Sequence, residues 1–186
     1  MRILKNQNAV KIIEKLKYNK NLSDSDLLFL IENNEYDDNL LFQVADSVRK
    51  KVYGKDVYIR GLIEFTNYCK NNCYYCGIRN GNKNAIRYRL TKSDILSCCE
   101  SGYELGFRTF VLQGGEDLYY TDDIMCEIIS SINNKFPDCA ITLSIGERSK
   151  ESYKKYFDSG ARRYLLRHET ADTNHYKKLH PENMSL

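Results

Sequence analysis

Hydrophobic positions along the chain fall into two regimes, a helical one up to residue 54 and an alternating one beyond it. Ala9, Val10, Ile12, Ile13 and Leu16 recur at helical spacing and predict a first helix. Ser23 is placed to cap a second helix carrying Leu27, Leu28 and Leu30. Leu40, Leu41, Val44, Ala45 and Val48 mark a third that stops at Gly54. From Asp56 onward, short apolar runs alternate with helical ones. Strands are expected at Val57 to Phe65, Thr109 to Gln113, Ala140 to Ile145 and Arg163 to Arg167. Helices are expected from Thr91 to about Leu105, from Asp122 to about Asn134, from Ser149 to Ser159 before Gly160, and from about Thr173.

This is an α/β pattern of four successive strand-helix units behind a helical extension, with the boundary placed between residues 1–54 and 55–186. Such alternation implies parallel strands joined by right-handed crossovers, with ligands collecting at the carboxyl ends of the strands. Four units are half of an eight-unit barrel. A half barrel leaves two sheet edges unpaired, so either the sequence is a fragment of a longer protein or a second copy or chain completes the ring. The fragment is preferred, because the chain stops at Leu186 without an evident terminal cap.

Composition narrows the class further. A chain of 186 residues that is 42% hydrophobic can bury one sizeable core, and only two prolines interrupt it. Met1 to Lys5 open no apolar signal segment, and nowhere is there a run long enough to span a bilayer, so a cytoplasmic protein with no membrane partner is expected. The net charge of +3 arises from scattered lysines and arginines among 25 acidic residues, which gives no nucleic-acid footprint. The abundance of Lys, Asn, Ile and Tyr is read as compositional bias. Seven cysteines without a secretory signal point to reduced thiols or metal ligands rather than bridges.

Polar residues cluster after each expected strand. Cys69, Cys73 and Cys76 follow the first, Gln113-Gly-Gly-Glu-Asp117 the second, Ser144-Ile-Gly-Glu-Arg148 the third and Arg167-His-Glu-Thr170 the fourth. The spacing Cys-x3-Cys-x2-Cys brings three sulfurs to one loop, which suits three ligands of an iron–sulfur cubane with one iron left open. A zinc site of three cysteines and one histidine is the alternative. It fits less well, since all three histidines lie beyond residue 167 and a zinc ribbon supplies paired Cys-x2-Cys knuckles. Cys98, Cys99, Cys126 and Cys139 lie in or beside expected helices and read as small buried hydrophobes. Arg87 and Arg89 are candidates to line a cavity mouth, against the commoner outcome of surface arginines. His168 and His180 read as core or cap histidines, and Thr142 and Ser144 as polar lining or plain strand residues.

Cys69-x3-Cys73-x2-Cys76, with aromatic Tyr75 before the last cysteine, resembles the signature of radical S-adenosylmethionine (SAM) enzymes, which use a TIM-type barrel. The flanking words narrow the resemblance. Thr66 to Arg79, Arg87 to Thr91, Val111 to Asp117, Thr142 to Arg148 and Arg163 to Asp172 are similar to the HydE family of [FeFe]-hydrogenase maturases, on the biotin synthase and methylornithine synthase branch. The resemblance runs from about residue 40 to residue 181 and lacks the family's second half.

The resemblance implies a 4Fe-4S cluster on Cys69, Cys73 and Cys76, with SAM at the open iron, cleaved by one electron to methionine and a deoxyadenosyl radical. It implies that Gly114, Gly115 and Glu116 bind the methionyl amino group, a role that glycine and a carboxylate suit. It places Glu147 near the ribose or amino end, Arg167 near the carboxylate and Tyr75 near the adenine; a salt bridge from Arg167 to Glu169 or Asp172 is the competing reading. It further implies an organometallic substrate, an organoiron precursor of the hydrogenase di-iron subcluster, with a ferredoxin or flavodoxin as electron donor and other hydrogenase maturases as partners. A methylornithine-synthase-like or biotin-synthase-like enzyme, acting on a small-molecule substrate, is the nearest alternative. A truncated, inactive iron–sulfur or zinc-binding module is another.

Overall fold

The computed structural model of the chain describes residues 7–18, 21–32 and 38–186, so the Met1 to Lys5 stretch lies outside the described residues. Contacts divide the chain into two compact units, Met1–Tyr58 and Ile59–Leu186. Among the described residues, no helix is long and apolar enough to cross a membrane.

The first unit holds α1 (Gln7–Tyr18), α2 (Asp24–Glu32) and α3 (Asp38–Tyr53), as the helical spacing predicted. Their apolar stripes meet in a small core of Ala9, Ile13, Leu30 and Val44. The Ser23 hydroxyl accepts from the Asp26 amide at 3.2 Å, so the cap expected from sequence forms. Helix α3 stops at Gly54, whose φ of 62° is the left-handed conformation that lets the chain turn away.

The second unit alternates β1 (Gly61–Thr66), α4 (Lys92–Glu104), β2 (Thr109–Gly114), α5 (Asp122–Lys135), β3 (Ala140–Ser144), α6 (Lys150–Ser159), β4 (Ala161–Tyr164) and α7 (Thr173–Leu179). The four strands lie in the order β1-β2-β3-β4, every neighbouring pair parallel. The expected α/β architecture of four strand-helix units is thus present. Period-two alternation decides which face is covered: Ile63 and Phe65, Phe110 and Leu112, and Ile141 and Leu143 bury into one core with Ile95, Met125, Ile128, Ile129, Ile132 and Tyr156 from the helices. On the opposite face Leu62 and Glu64 of β1 remain exposed.

Two strand assignments need correction, and both for the same reason. Strand β1 starts at Gly61 rather than Val57, because Gly61 is the first residue opposite a partner, Phe110 of β2. Strand β4 is Ala161–Tyr164 rather than Arg163 to Arg167, because β3 ends at Ser144 and offers only one further contact, from the Leu165 amide to Leu143 O at 2.8 Å. Apolar composition marks a strand; its ends are set by the neighbouring ladder. Helix α4 starts where Thr91 and Asp94 form a reciprocal capping box, and Thr121 and Ser149 cap α5 and α6.

A candidate metal and cofactor site at the strand ends

Strand β1 delivers the chain at Thr66 into a long loop that returns along the strand it left. Thr66 bridges Arg89 in antiparallel fashion, and the Leu90 amide donates to Phe65 O at 2.8 Å. Between these feet the loop is zipped by asparagines. Asn67 Oδ1 accepts from the Tyr88 amide at 2.8 Å, Asn72 Oδ1 from the Gly81 amide at 3.0 Å, and Asn82 Nδ2 donates to Gly77 O at 2.8 Å. A backbone bond from Asn80 to Asn71 O at 2.8 Å closes the middle. The result is a compact Ω-type loop that presents Cys69, Cys73 and Cys76.

All three thiols are free and half-buried. Burial pushes the Cys73 thiol up, and neighbouring Cys69 and Cys76 add to the shift, which puts the three within electrostatic reach of one another. Among the described residues, no group of three or more His, Cys, Asp and Glu side chains is yet drawn together tightly enough to hold a metal ion. The donor set, three thiols on one loop, suits iron–sulfur ligation better than a closed zinc site, since His180, which reaches this loop, is engaged by the Tyr75 hydroxyl and by Tyr176 O rather than by a sulfur.

The turn after β2 packs directly on this loop. A Cβ on Gly115 would stand 2.3 Å from Tyr68 O and 2.7 Å from Cys69 Cβ, so only glycine lets the two turns touch. Gly115→Ala is expected to displace the Tyr68-Cys69 segment at a cost of about 1–3 kcal/mol; melting temperature and iron uptake measured together check it, with uptake falling more than stability. Glu116 follows, largely buried, its carboxylate accepting from Lys70 Nζ at 3.0 Å, Asn71 Nδ2 at 2.9 Å and the Glu147 amide at 3.4 Å. The turn after β3 closes on the same group: Gly146, at φ 76°, approaches so nearly that a Cβ there would lie 2.1 Å from Glu116 Cγ. Cys69, Gly115, Glu116 and the Glu147 backbone are therefore brought together by three strand ends.

The remaining expected site residues are placed less tightly. Tyr75 lies half-exposed, its hydroxyl 3.2 Å from Nε2 of buried His180, whose ring stacks on Tyr176 at 3.9 Å. His180 Nδ1 sits 3.0 Å from Tyr176 O, a carbonyl that can only accept, so Nδ1 carries a proton and donates it there. Burial, then Cys73, push the Tyr75 phenol up to about 12. The Glu147 side chain and Arg167 are exposed, and among the described residues Arg167 makes no ion pair, so the bridge to Glu169 or Asp172 does not form. Arg167 lies three positions beyond β4 rather than on it. Thr142 Oγ1 is buried without a partner among the described residues. Cys99 and Cys139 are buried as expected, whereas Cys98 is exposed, because α4 turns it away from the core that takes Cys99.

Three features of the site were not legible as such. The asparagines taken for compositional bias are the loop's cross-links. The partners of Arg87 and Arg89 are the second: Arg87 donates to backbone carbonyls of the cysteine loop, and Arg89 grips buried Asp117 with Nε at 2.7 Å and Nη2 at 2.8 Å. Asp117 also accepts from Thr66 Oγ1 at 2.8 Å and the Tyr119 amide at 3.0 Å, and the Arg89 guanidinium lies 3.8 Å over the Tyr68 ring. The signal available in sequence was position: each of these residues flanks the cysteine run or the Gly-Gly-Glu turn.

The profile of the Radical SAM superfamily matches residues 63–184, from β1 through α7. The chain belongs to the radical SAM superfamily. Among curated radical SAM relatives, it is 46% identical over 142 residues to the [FeFe] hydrogenase maturase subunit HydE of Thermotoga maritima, which covers 76% of this chain and 40% of that protein. It is 33% identical over 172 residues to the 3-methylornithine synthase of Methanosarcina acetivorans, covering 91% of this chain and 47% of the relative. Of solved structures, the [FeFe]-hydrogenase maturase HydG matches with a TM-score of 0.82 at 30% identity over 95% of this chain and 40% of its own. Methylornithine synthase matches with a TM-score of 0.78 at 29% identity over 93% and 52%. The chain thus spans about half or less of the length of these radical SAM relatives, and its four strand-helix units correspond to part of theirs.

Proposed function

We propose that this chain is the SAM-binding portion of an [FeFe]-hydrogenase maturase of the HydE type. The observation that carries the reading is the 46% identity to a HydE protein across three quarters of the chain, against 33% to 3-methylornithine synthase. Cys69, Cys73 and Cys76 hold a 4Fe-4S cluster; when bound, it supplies the electron that splits SAM into methionine and a deoxyadenosyl radical. Gly114 and Gly115 let the backbone approach the methionyl group. Glu116 already accepts an ammonium, that of Lys70, and Lys70 is half-exposed and free to swing aside for the amino group of SAM. Arg167, exposed and without an ion-pair partner among the described residues, takes the carboxylate, a group its planar fork matches. Glu147 serves the ribose or amino end and Tyr75 the adenine. The radical then acts on an organoiron precursor supplied by a partner maturase, in the cytoplasm, with a ferredoxin or flavodoxin as electron source.

The match to 3-methylornithine synthase over 91% of the chain supports a second reading, a carbon-skeleton rearrangement of an amino acid. The test uses the full chain, reconstituted anaerobically with iron and sulfide and given SAM and dithionite. About four irons per chain and formation of deoxyadenosine are expected; tight stoichiometric zinc with no iron uptake would overturn the reading. Restoration of hydrogenase activity in a host lacking its HydE protein supports the maturase assignment, and methylornithine formation from lysine supports the alternative.

A further inference from the structure

The geometry points to Arg87 as the positioning residue of the cysteine loop, holding its entry and exit arms at the spacing from which three thiols can close on one cluster. The inference rests on the reading of that loop as a cluster site. Arg87 Nη1 donates to Asn67 O and, at 2.9 Å, to Ile78 O; Nη2 donates to Arg79 O at 2.7 Å and Asn82 O at 3.1 Å. Asn67 stands two residues before the first cysteine of the loop, and Ile78 two residues after the last. One guanidinium therefore spans the whole triad from outside it, without touching a sulfur.

The type of residue matters. Four carbonyls on two arms of one loop need a planar group with several fixed donors, which arginine provides and lysine, a single rotating ammonium, does not. Unlike Arg89, whose charge is met by Asp117, Arg87 forms no ion pair among the described residues. Its partners are backbone dipoles alone, so a net positive charge remains inside the loop that is to receive an anionic set of thiolates. The other cross-links survive its removal: Asn67 still meets Tyr88 at the foot, and Asn72 still meets Gly81. Loss of the fork should therefore loosen the arms without unfolding the unit.

Hydrogen–deuterium exchange on the full, metal-free chain tests this directly in Arg87→Lys and Arg87→Gln. The amides of Asn80 and Asn82, both hydrogen-bonded within the loop, are expected to exchange at least roughly tenfold faster in both variants, while those of β2 and α5 stay as in the wild type. After reconstitution with iron and sulfide, both variants are expected to lose iron to a chelator several-fold faster than wild type at an unchanged melting temperature. Arg87→Lys retains the charge and should lose iron more slowly than Arg87→Gln. Loop exchange equal to wild type in both variants would overturn the inference, as would a change spread evenly over the unit with a lowered melting temperature. If the wild type takes up no iron, the cluster reading fails while the exchange result still decides whether Arg87 orders the loop.

Discussion

Replacing any one of Cys69, Cys73 or Cys76 with alanine is expected to cut iron retained after reconstitution at least roughly threefold and to reduce deoxyadenosine formation to background. A cubane held by three thiolates has no spare protein ligand, so the loss of one is not made good. Alanine at Cys98 or Cys126 should leave iron content unchanged, because both sit on helices α4 and α5 away from the loop. Iron analysis and the visible chromophore of each variant provide the measurement. Equal iron in a loop variant and in Cys98→Ala would place the cluster elsewhere.

The second large effect concerns Asp117. The residue is only 4% exposed, and its carboxylate is the common acceptor for Arg89, Thr66 and the Tyr119 amide. Asp117→Ala removes the acceptor of the buried Thr66 hydroxyl and of the Tyr119 amide and frees a cation, a change that in buried pairs costs about 3–5 kcal/mol. The Arg89 side chain is 36% exposed and can be rehydrated, so the lower part of that range, about 3 kcal/mol, is expected. At roughly 2–4 °C per kcal/mol, the melting temperature should fall by about 6–12 °C. A fall of only a degree or two would show that the network is not stabilising.

Asp117 also makes stability depend on pH. Burial alone would raise its carboxyl, but Arg89, Thr66 and the Tyr119 amide reverse that and hold it below the ordinary carboxylate range. The folded form therefore binds this proton more weakly than the unfolded one. The stabilisation is fully present above the unfolded value near 3.9 and is lost as pH falls through the lower folded value. Acid titration of the wild type should show a loss in that window that Asp117→Ala lacks.

Much of the fold was legible because its signals are local. Helical spacing, a Thr-x-x-Asp box at Thr91 and glycines at 54 and 160 each act within a few residues, and the helices begin and end close to where those residues predict. Strands were legible only as apolar runs. Val57, Tyr58 and Ile59 have the composition of a strand yet pair with no strand among the described residues, and they stay exposed, while β4 begins at Ala161, two residues before the expected Arg163. The cysteine triad stood out by spacing, and the Gly-Gly-Glu turn by resemblance to the family's motif and its order after the cysteine loop. Their mutual contact did not, since the close packing at Gly115, where an added Cβ would meet Tyr68 O at 2.3 Å, joins turns that follow different strands.

By itself the amino-acid sequence determined the alternation of strands and helices, the residues able to ligate a metal and the order in which they appear along the chain, because periodicity, capping and ligand type are properties of short stretches. Only the tertiary structure decided strand ends, the interlocking of three turns around Glu116 and the partners of Arg87 and Arg89. The reason is physical: an arginine carries the same five donors wherever it stands, and whether they meet solvent, a buried carboxylate or the carbonyls of a cysteine loop depends on which parallel strands have been laid side by side.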